Sequence, residues 1–196
     1  EVVQQVVGLT DPHEVAESTA NLLARYFSYE LAAVFIADET GKLTIGGFGG
    51  VSQNVVKRAM KSVEYPLIGG ITGHVFETGE GVLVNDVLQD ERYMPIKGWQ
   101  AGSEMCVPIR DGAKVLGIID VESSSRNAFT HNDYIALESL AGILATVITS
   151  ADQYQRLGVA VGELAGVPVL TSSDKDLGRM VAVAKRLHAS KGIRCL

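Results

Sequence analysis

Apolar residues at helical spacing mark a first and a last helix in the central part of the chain. The first is predicted to begin at Asp11 and Pro12, because Asp caps a helix well and Pro suits the first helical position. The last is predicted to begin after Thr130, with Asp133 completing a capping box. Apolar residues of this last helix have the spacing of a helix-pairing seam: Leu140, Ile143, Leu144, Val147, Ala151, Tyr154 and Leu157.

Between these helices, short apolar runs bounded by turn residues predict β-strands. Residues 31–37 and 43–45 form one hairpin, which ends at the glycine-rich stretch 46–50. Residues 103–109 and 114–122 form a second hairpin. The remaining elements are a helix at 52–62, an edge strand at 64–68, a helix at 74–77, a strand at 81–85 and a long loop at 86–102. This order predicts an α+β domain with a largely antiparallel sheet.

The composition is that of a globular protein. The chain has 196 residues, of which 46% are hydrophobic, and a formal net charge of −6. This acidic balance argues against a general binder of nucleic acid or anionic membranes, because phosphate contacts need a surplus of Lys and Arg. No apolar run approaches the roughly 20 residues of a membrane span. Cys106 and Cys195 lie far apart, which is typical of a reducing compartment and leads us to expect a cytoplasmic protein.

The domain division follows a change in sequence character after the last helix. Residues 1–157 hold the predicted α+β domain with its flanking helices, and the core of that domain spans 11–152. In residues 158–196, Gly and Pro interrupt any continuous helix, and we predict one further amphipathic helix after Asp174. Because the chain begins with Glu1 rather than Met, we expect it to be part of a longer protein.

The sequence contains no motif for catalysis or metal binding. None of the four histidines pairs with another ligand type at zinc-ligand spacing, so we predict no metal site. There is no Gly-x-Ser-x-Gly, and Cys106 has no neighbouring His to activate its thiol. Glycines at 69–73 suit an anion-binding helix start, but a tight turn without a ligand is the favoured interpretation, because helix starts far outnumber anion sites. We therefore predict neither catalytic residues nor a cofactor.

Two acids of the second hairpin, Glu104 and Asp120, interrupt apolar strands. A carboxylate in such a strand must find a hydrogen-bond donor or shift its pKa. A three-residue turn at 110–112 with a bulge places both on one face, whereas a two-residue Asp-Gly turn places them on opposite faces. On one face they suit a ligand amine or guanidine. At strand ends they are solvated or cap neighbouring turns, and the pattern favours neither alternative.

The loop at 86–102 carries polar and aromatic side chains that suit a ligand cover. Long loops in compact domains often bind or cover ligands. Asp90 and Arg92 equally suit a local ion pair that stiffens the loop. The loop residues that stand out in this way are Asp86, Asp90, Arg92, Tyr93 and Trp99.

A series of short motifs, taken in order, resembles the GAF domain family. The series covers roughly residues 11–152, and its order is specific although each motif alone is weak. The motifs are Phe35-Ile-Ala-Asp38, Gly70-Ile-Thr-Gly73, Thr78-Gly-Glu80, Val84-Asn-Asp-Val87, Asp90-Glu-Arg92, Gly102-Ser-Glu-Met-Cys-Val-Pro-Ile109, Val115-Leu-Gly-Ile-Ile-Asp120 and Ala128-Phe-Thr130.

This resemblance implies both an architecture and a role. The architecture is a central antiparallel β-sheet of about five to six strands, with the N- and C-terminal helices packed on one face. A ligand pocket covered by loops lies on the other face. The role is sensory or regulatory service in a signalling protein, usually as a dimer.

Free methionine sulfoxide reductases are similar GAF proteins that carry catalytic cysteines in the long loop and near the glycine turn. In this sequence the loop position seven residues before Glu104 is Lys97, and the glycine turn at 70–73 contains no Cys. Glu104 and Asp120, which resemble the acids that bind the substrate amine in those enzymes, are present. The resemblance therefore implies that the pocket chemistry persists without the redox chemistry.

Two other branches of the family are less similar to this sequence. Pigment-binding members attach a bilin through a Cys followed by His in the loop, and the loop here contains neither residue. Members that bind cyclic nucleotides carry an Asn-Lys-x-Phe signature with a downstream Asp. Asn127-Ala-Phe129 with Asp133 resembles this signature only in part.

We therefore expect a non-catalytic sensor that binds an unknown small molecule and signals through its terminal helices in a homodimer. An enzyme of the reductase type is one alternative, and the missing cysteines argue against it. A structural dimerisation module whose side chains fill the pocket is another. The expected ligand-binding residues are Asp86, Tyr93, Trp99, Ser103, Glu104, Cys106 and Asp120.

Overall fold

The computed structural model describes residue 9 and residues 11–52, 54–55, 69–96 and 98–164. Within these residues the chain forms three helices of nine or more residues, five strands and one turn of 3₁₀-helix. In chain order they are α1 (Pro12–Phe27), β1 (Leu31–Ala37), β2 (Leu43–Gly49), α2 (Gly70–Thr78), β3 (Val82–Val84), the 3₁₀ turn (Val87–Gln89), β4 (Ser103–Asp111), β5 (Lys114–Ser123) and α3 (His131–Leu164).

The five strands form one antiparallel sheet in the order β2-β1-β5-β4-β3. The central strand β5 pairs with β1 on one side and with β4 on the other. The prediction of an α+β domain built on an antiparallel sheet is therefore confirmed. Both hairpins join strands that are consecutive in sequence, which is why local turn signals were sufficient to locate them.

The N- and C-terminal helices α1 and α3 pack on one face of the sheet, as the family resemblance implies. Asp11 caps α1 by accepting a hydrogen bond from the backbone N–H of His13 at 2.7 Å. Thr130 and Asp133 form the predicted capping box of α3, with N···O distances of 2.7 and 3.3 Å. Both helices and three strands contribute apolar side chains to this core, and those with almost no exposure include Val15, Leu23, Val34, Met105, Val107, Ile119 and Leu144.

A second apolar cluster covers the other face of the sheet. It is built from the alternate residues of the same strands, together with α2 and the loop that follows β3. Its buried members include Ala33, Phe35, Phe48, Ile71, Val75, Val87, Cys106 and Ile118. The two faces thus follow from the period-2 alternation of the strands.

The glycine-rich stretch does not end the first hairpin but continues β2 as far as Gly49. A Cβ atom at Gly47 would lie 2.3 Å from Cα of Glu17, and one at Gly49 would lie 2.1 Å from the carbonyl oxygen of Ala20. The missing side chains let α1 approach the backbone of β2. The prediction that these glycines terminate the strand was wrong because glycine can mark close packing as well as a turn.

The predicted seam of α3 is divided between the core and the surface. Leu144 and Ala151 are buried, whereas Ile143, Tyr154 and Leu157 are exposed. By length and composition alone the segment His131–Tyr154 is apolar enough to cross a membrane. The contact of Leu144 and its neighbours with the sheet is instead the arrangement of a core helix in a globular domain.

Several sequence predictions differ from the described elements or lie outside them. The helix predicted at 74–77 begins earlier, at Gly70, and the strand predicted at 81–85 is shortened to Val82–Val84. The strand at 64–68, the helix after Asp174 and most of the helix at 52–62 lie outside the described residues. The division at residues 157 and 158 stays a prediction.

Candidate functional site

Three carboxylates converge on the loop-covered face of the sheet. Glu104 of β4 lies directly opposite Glu122 of β5, and Asp120 precedes Glu122 by two residues, so all three side chains share one face. One oxygen from each lies within 4.8 Å of the others. Each residue is only 5% exposed. We call Glu104, Asp120 and Glu122 the carboxylate cluster.

A bulge in the second hairpin brings these residues together. The turn is formed by Gly112 and Ala113, with Gly112 in the left-handed region at φ +59°. Beyond it the pairing shifts by one residue, which leaves Leu116 as the extra residue of β5. The same-face alternative is therefore confirmed, although the bulge lies in β5 and not in the predicted three-residue turn.

Burial dominates the electrostatics of the cluster. Loss of solvent raises the pKa of Glu104 and of Asp120 well above their usual values, and charge on the neighbouring carboxylates adds to both shifts. The pKa of Glu122 is raised by burial to about 7, although the hydrogen bond from Trp99 acts in the opposite direction. The cluster therefore retains protons at a pH where surface carboxylates are ionised.

One oxygen of the cluster has no hydrogen-bond partner among the described residues. Asp120 shares side-chain hydrogen bonds with Glu104 and Glu122. Its atom Oδ1 is buried and makes none. A buried carboxyl oxygen without a partner costs about 1–3 kcal/mol. A buried oxygen of this kind has lone pairs that can accept a bond from a ligand, an ion or a water molecule.

The loop after β3 covers the cluster and is hydrogen-bonded to it. The indole Nε1–H of Trp99 donates to Oε2 of Glu122 at 2.6 Å. The Tyr93 hydroxyl accepts from the backbone N–H of Ala101 at 3.1 Å. The loop is anchored at its end by Gly102, whose N–H donates to the carbonyl of Ser123 at 2.7 Å. The structure thus places Tyr93 and Trp99 over the acids.

A small cavity of about 40 Å³ lies between the cluster, the loop and the start of α2. Tyr93, Met94 and Ile96 contribute to its wall on the loop side, and residues 69–72 on the helix side. The N-cap Gly69 has no side-chain cap, so no cap side chain satisfies the first backbone N–H groups of α2. The cavity therefore joins a group of acids to a helix N-terminus.

Cys106 lies beside the cluster, directly opposite Asp120. It is fully buried, and burial together with the nearby carboxylates raises the pKa of its thiol well above the usual value. The thiol therefore stays protonated, which is the state of an inert, space-filling cysteine.

The structure separates two predicted site residues from the cluster. Asp86 caps the 3₁₀ turn through the N–H of Leu88 at 3.2 Å and pairs with Arg126 at 3.3 Å. Ser103 belongs to the helix-facing side of β4, where its hydroxyl donates to the carbonyl of Ser125 at 2.8 Å. Both residues instead fix the ends of the loop.

Glu122 was not among the predicted site residues. The signal was present, because Asp120 and Glu122 are two residues apart in one strand and must share a face. In the predicted hairpin, Glu122 was only the last residue of the second strand. In addition, Asp120 and Glu122 lie on the same face as Glu104 only because of the bulge at Leu116, which was not predicted.

Asp90 and Arg92 form the ion pair that was considered as an alternative for the loop. Two guanidinium–carboxylate contacts of 2.9 and 2.6 Å join them. The pair is partly exposed. Arg92 also acts on the cluster at longer range, since it lowers the pKa of Glu104 slightly against the larger effect of burial. Its charge is largely engaged by Asp90.

Comparison with protein families identifies the architecture. The family model described as "GAF domain" matches residues 10–149 of the chain. The chain belongs to the GAF domain family. The matched region of this GAF domain includes the sheet, the loop and the carboxylate cluster.

Curated relatives of this GAF domain include two phosphodiesterases. A stretch of 107 residues, 53% of the chain, is 25% identical to the probable 3',5'-cyclic phosphodiesterase pde-5 of Caenorhabditis elegans. A stretch of 134 residues, 62% of the chain, is 28% identical to the dual 3',5'-cyclic-AMP and -GMP phosphodiesterase 11A of Takifugu rubripes. Each match spans only 15% of the relative's length.

Solved structures share the fold at low sequence identity. The GAF domain of an Acinetobacter phosphoenolpyruvate-protein phosphotransferase has a TM-score of 0.63 and 21% identity, covering 78% of this chain and 90% of that one. Free methionine-R-sulfoxide reductase from Neisseria meningitidis, in complex with its substrate, has a TM-score of 0.65 and 22% identity, covering 78% and 87%. Family membership and the two phosphodiesterase relatives support a regulatory role in signal transduction.

Proposed function

We propose that this GAF domain is a non-catalytic sensor whose effector binds through a cationic group at the carboxylate cluster. The observation that carries the proposal is Oδ1 of Asp120, which has no hydrogen-bond partner among the described residues and is buried beside two further carboxylates. A cation in the cavity satisfies this atom and replaces the protons that the cluster otherwise holds. Three buried acids without such a partner are costly to maintain for structural reasons alone.

The covering loop supplies the first part of a signalling route. Trp99 holds Oε2 of Glu122, so any effector that engages Glu122 also acts on the loop. Tyr93 and Ile96 line the small cavity and also a shallow depression of about 660 Å³ along the loop. An organic effector larger than a few atoms requires the side chains of Tyr93 and Ile96 to move. Their movement would join the small cavity to the depression.

The sheet supplies the second part of the route. Glu104 and Met105 are adjacent in β4, and they face the cluster and the helix-side core respectively. Asp120 lies between Ile119 and Val121, which pack in that same core. A change in strand position at the cluster therefore reaches α1 and α3 across the thickness of one strand. We propose that these helices transmit it within a homodimer.

A structural module without an effector is the second candidate, and the small cavity favours it. A volume of about 40 Å³ holds only about one to three water molecules, far below the roughly 300 Å³ of a typical organic ligand site. The reductase alternative receives no comparable support. Cys106 is buried and protonated, and the loop position expected for a catalytic cysteine is Lys97.

A ligand screen with a charge-matched control tests the proposal. The full chain is analysed by native mass spectrometry and by thermal melting with primary amines, guanidinium compounds, divalent metal ions and anionic metabolites. We expect one cationic class to raise Tm by about 5 °C at 100-fold excess over Kd. Asp111→Asn, which changes an exposed acid at the tip of the hairpin, is expected to keep this response, and Asp120→Asn to lose it.

Two results would contradict the proposal. A response restricted to anionic or neutral compounds would place recognition elsewhere. The absence of both a co-purified ligand and any thermal response would favour the structural module.

A further inference from the structure

We propose that the carboxylate cluster is a binding site for a hard divalent cation of the Mg²⁺ and Mn²⁺ class. This inference rests on the proposed function and narrows its effector to an inorganic ion. It concerns an oxygen-only site assembled across two strands, a kind of site that a search for His and Cys spacing does not detect.

The spacing of the oxygens fits one coordination sphere. Hard divalent cations bind carboxylate oxygens at about 2.0–2.6 Å, so two ligands on opposite sides of the ion are about 4–5 Å apart. One oxygen each from Glu104, Asp120 and Glu122 lies within 4.8 Å of the others. An ion placed among them therefore reaches all three without a large movement of β4 or β5.

The volume of the cavity selects an ion over an organic cation. The space beside the acids is about 40 Å³, which accommodates an ion with one or two bound waters. Mg²⁺ and Mn²⁺ commonly retain waters in addition to protein carboxylates. An amino acid or polyamine does not fit this closed form of the loop.

The donor set and the local charge point to the same class of ligand. All three groups are carboxylates, and the described residues contribute neither His nor Cys to the cluster. Among the described residues, Arg92 is the cation that acts on Glu104, and it is bound in a bidentate pair to Asp90. A dication that displaces the protons of the cluster neutralises more of the resulting carboxylate charge than an ammonium group does.

Two atoms are already arranged for such a ligand. Oδ1 of Asp120 is buried and without a partner among the described residues, which leaves its lone pairs available. Trp99 donates to Oε2 of Glu122 at 2.6 Å, which orients the carboxylate. Carboxylates that bind metals are commonly held by such an outer hydrogen bond.

Titration with Mn²⁺ tests the proposal directly. The full chain is freed of metal with a chelator and titrated while electron paramagnetic resonance follows free Mn²⁺, with calorimetry giving the stoichiometry. We expect one Mn²⁺ per chain, displaced by Mg²⁺. Asp120→Asn and Glu104→Gln should each weaken binding by roughly tenfold or more, whereas Asp111→Asn should bind as the original chain does.

The outcomes separate this inference from the proposed function. Binding of Mn²⁺ that is unchanged in folded Asp120→Asn and Glu104→Gln would overturn the inference, because the ion would then lie elsewhere. The absence of Mn²⁺ binding together with a thermal response to organic amines would overturn the inference and keep the proposed function. The absence of both would overturn both. Circular dichroism of each variant verifies that it is folded.

Discussion

The two faces of the sheet are built from alternate residues of the same strands, and they differ most where β4 and β5 cross them. The helix-side face there is largely apolar, and Met105, Val107, Ile119 and Val121 are fully buried. One residue away, the loop-side face carries three buried carboxylates beside its own apolar cluster. Both apolar clusters stabilise the domain, whereas the carboxylates are polar groups that stability alone does not explain. Buried polar groups beside an apolar core therefore mark a candidate site.

The largest expected effect comes from moving a charge across the sheet. Met105→Glu places a carboxylate on the helix-side face, where Met105 is fully buried and has an apolar environment. We expect a loss of about 4 kcal/mol or more in the free energy of unfolding, measured by urea denaturation. Glu104→Gln, one residue away on the other face, should leave the domain folded. Similar losses from both variants would remove the contrast between the faces.

Truncation on the two sides of α3 gives the next largest effect. Leu144 is buried in the core, so Leu144→Ala should cost about 2–5 kcal/mol. The adjacent Ile143 is exposed, and Ile143→Ala should change stability by less than about 0.5 kcal/mol in the monomer. Urea denaturation at several protein concentrations provides the measurement. A large, concentration-dependent cost for Ile143→Ala would show that the outer side of α3 is paired with another chain.

The contact between the loop and the cluster has a moderate expected effect. Trp99→Phe removes the donor to Glu122, and at pH 8, where Glu122 is mostly ionised, a hydrogen bond to a charged group contributes about 1.5–3 kcal/mol. A double-mutant cycle with Glu122→Gln isolates the pair. We expect Trp99→Phe to cost less in the Glu122→Gln background. Equal costs in both backgrounds would assign the effect to the packing of the indole ring.

The smallest predicted effect is a dependence of stability on pH. The folded protein holds the Glu122 proton with a pKa of about 7, against the ordinary value of 4.5. Because the folded state binds this proton more tightly than the unfolded state does, stability must rise as pH falls from 8 to 6, by about 1 kcal/mol. Glu104 and Asp120 shift in the same direction. Urea midpoints at both pH values, with Glu122→Gln as the variant expected to respond less, provide the measurement.

Two exposed acids affect stability only at lower pH, so they do not contribute to the change in stability between pH 8 and pH 6. Hydrogen bonds lower the pKa of Asp38 and Asp133, so their stabilising contributions are lost only below the ordinary carboxyl range. A stability that falls between pH 8 and pH 6 would contradict the raised values in the cluster.

Most of the fold was predictable because its signals are local. Asp11 and Thr130 announced the starts of α1 and α3 through caps that need only a few neighbouring residues. The turn at 110–113 located the β4–β5 hairpin in the same way. The glycines of β2 were misjudged because their role depends on α1, which is distant in sequence from the strand. Local chemistry does not reveal a contact between elements.

The site was predictable only in part for the same reason. Glu104 and Asp120 stood out because a carboxylate in an apolar strand is conspicuous in any register. Their convergence with Glu122 depended on the bulge at Leu116, which leaves no clear trace in the sequence. Asp86 and Ser103 were also predicted as ligand-binding residues, but capping by Asp86 and the alternation of β4 at Ser103 direct them to the ends of the loop.

The bulge at Leu116 also separates the part of the hairpin that holds the acids from the part that forms its tip. Pairing from Ser103 to Ile109 is set on one side of the bulge, and the tip at Gly112 and Ala113 lies on the other. Both tip residues are exposed, and a Cβ at Gly112 meets no atom within 4 Å. A dye attached there, or a short peptide inserted there, would report on the folded domain. It would leave the pairing of β4 with β5 at the carboxylate cluster unchanged.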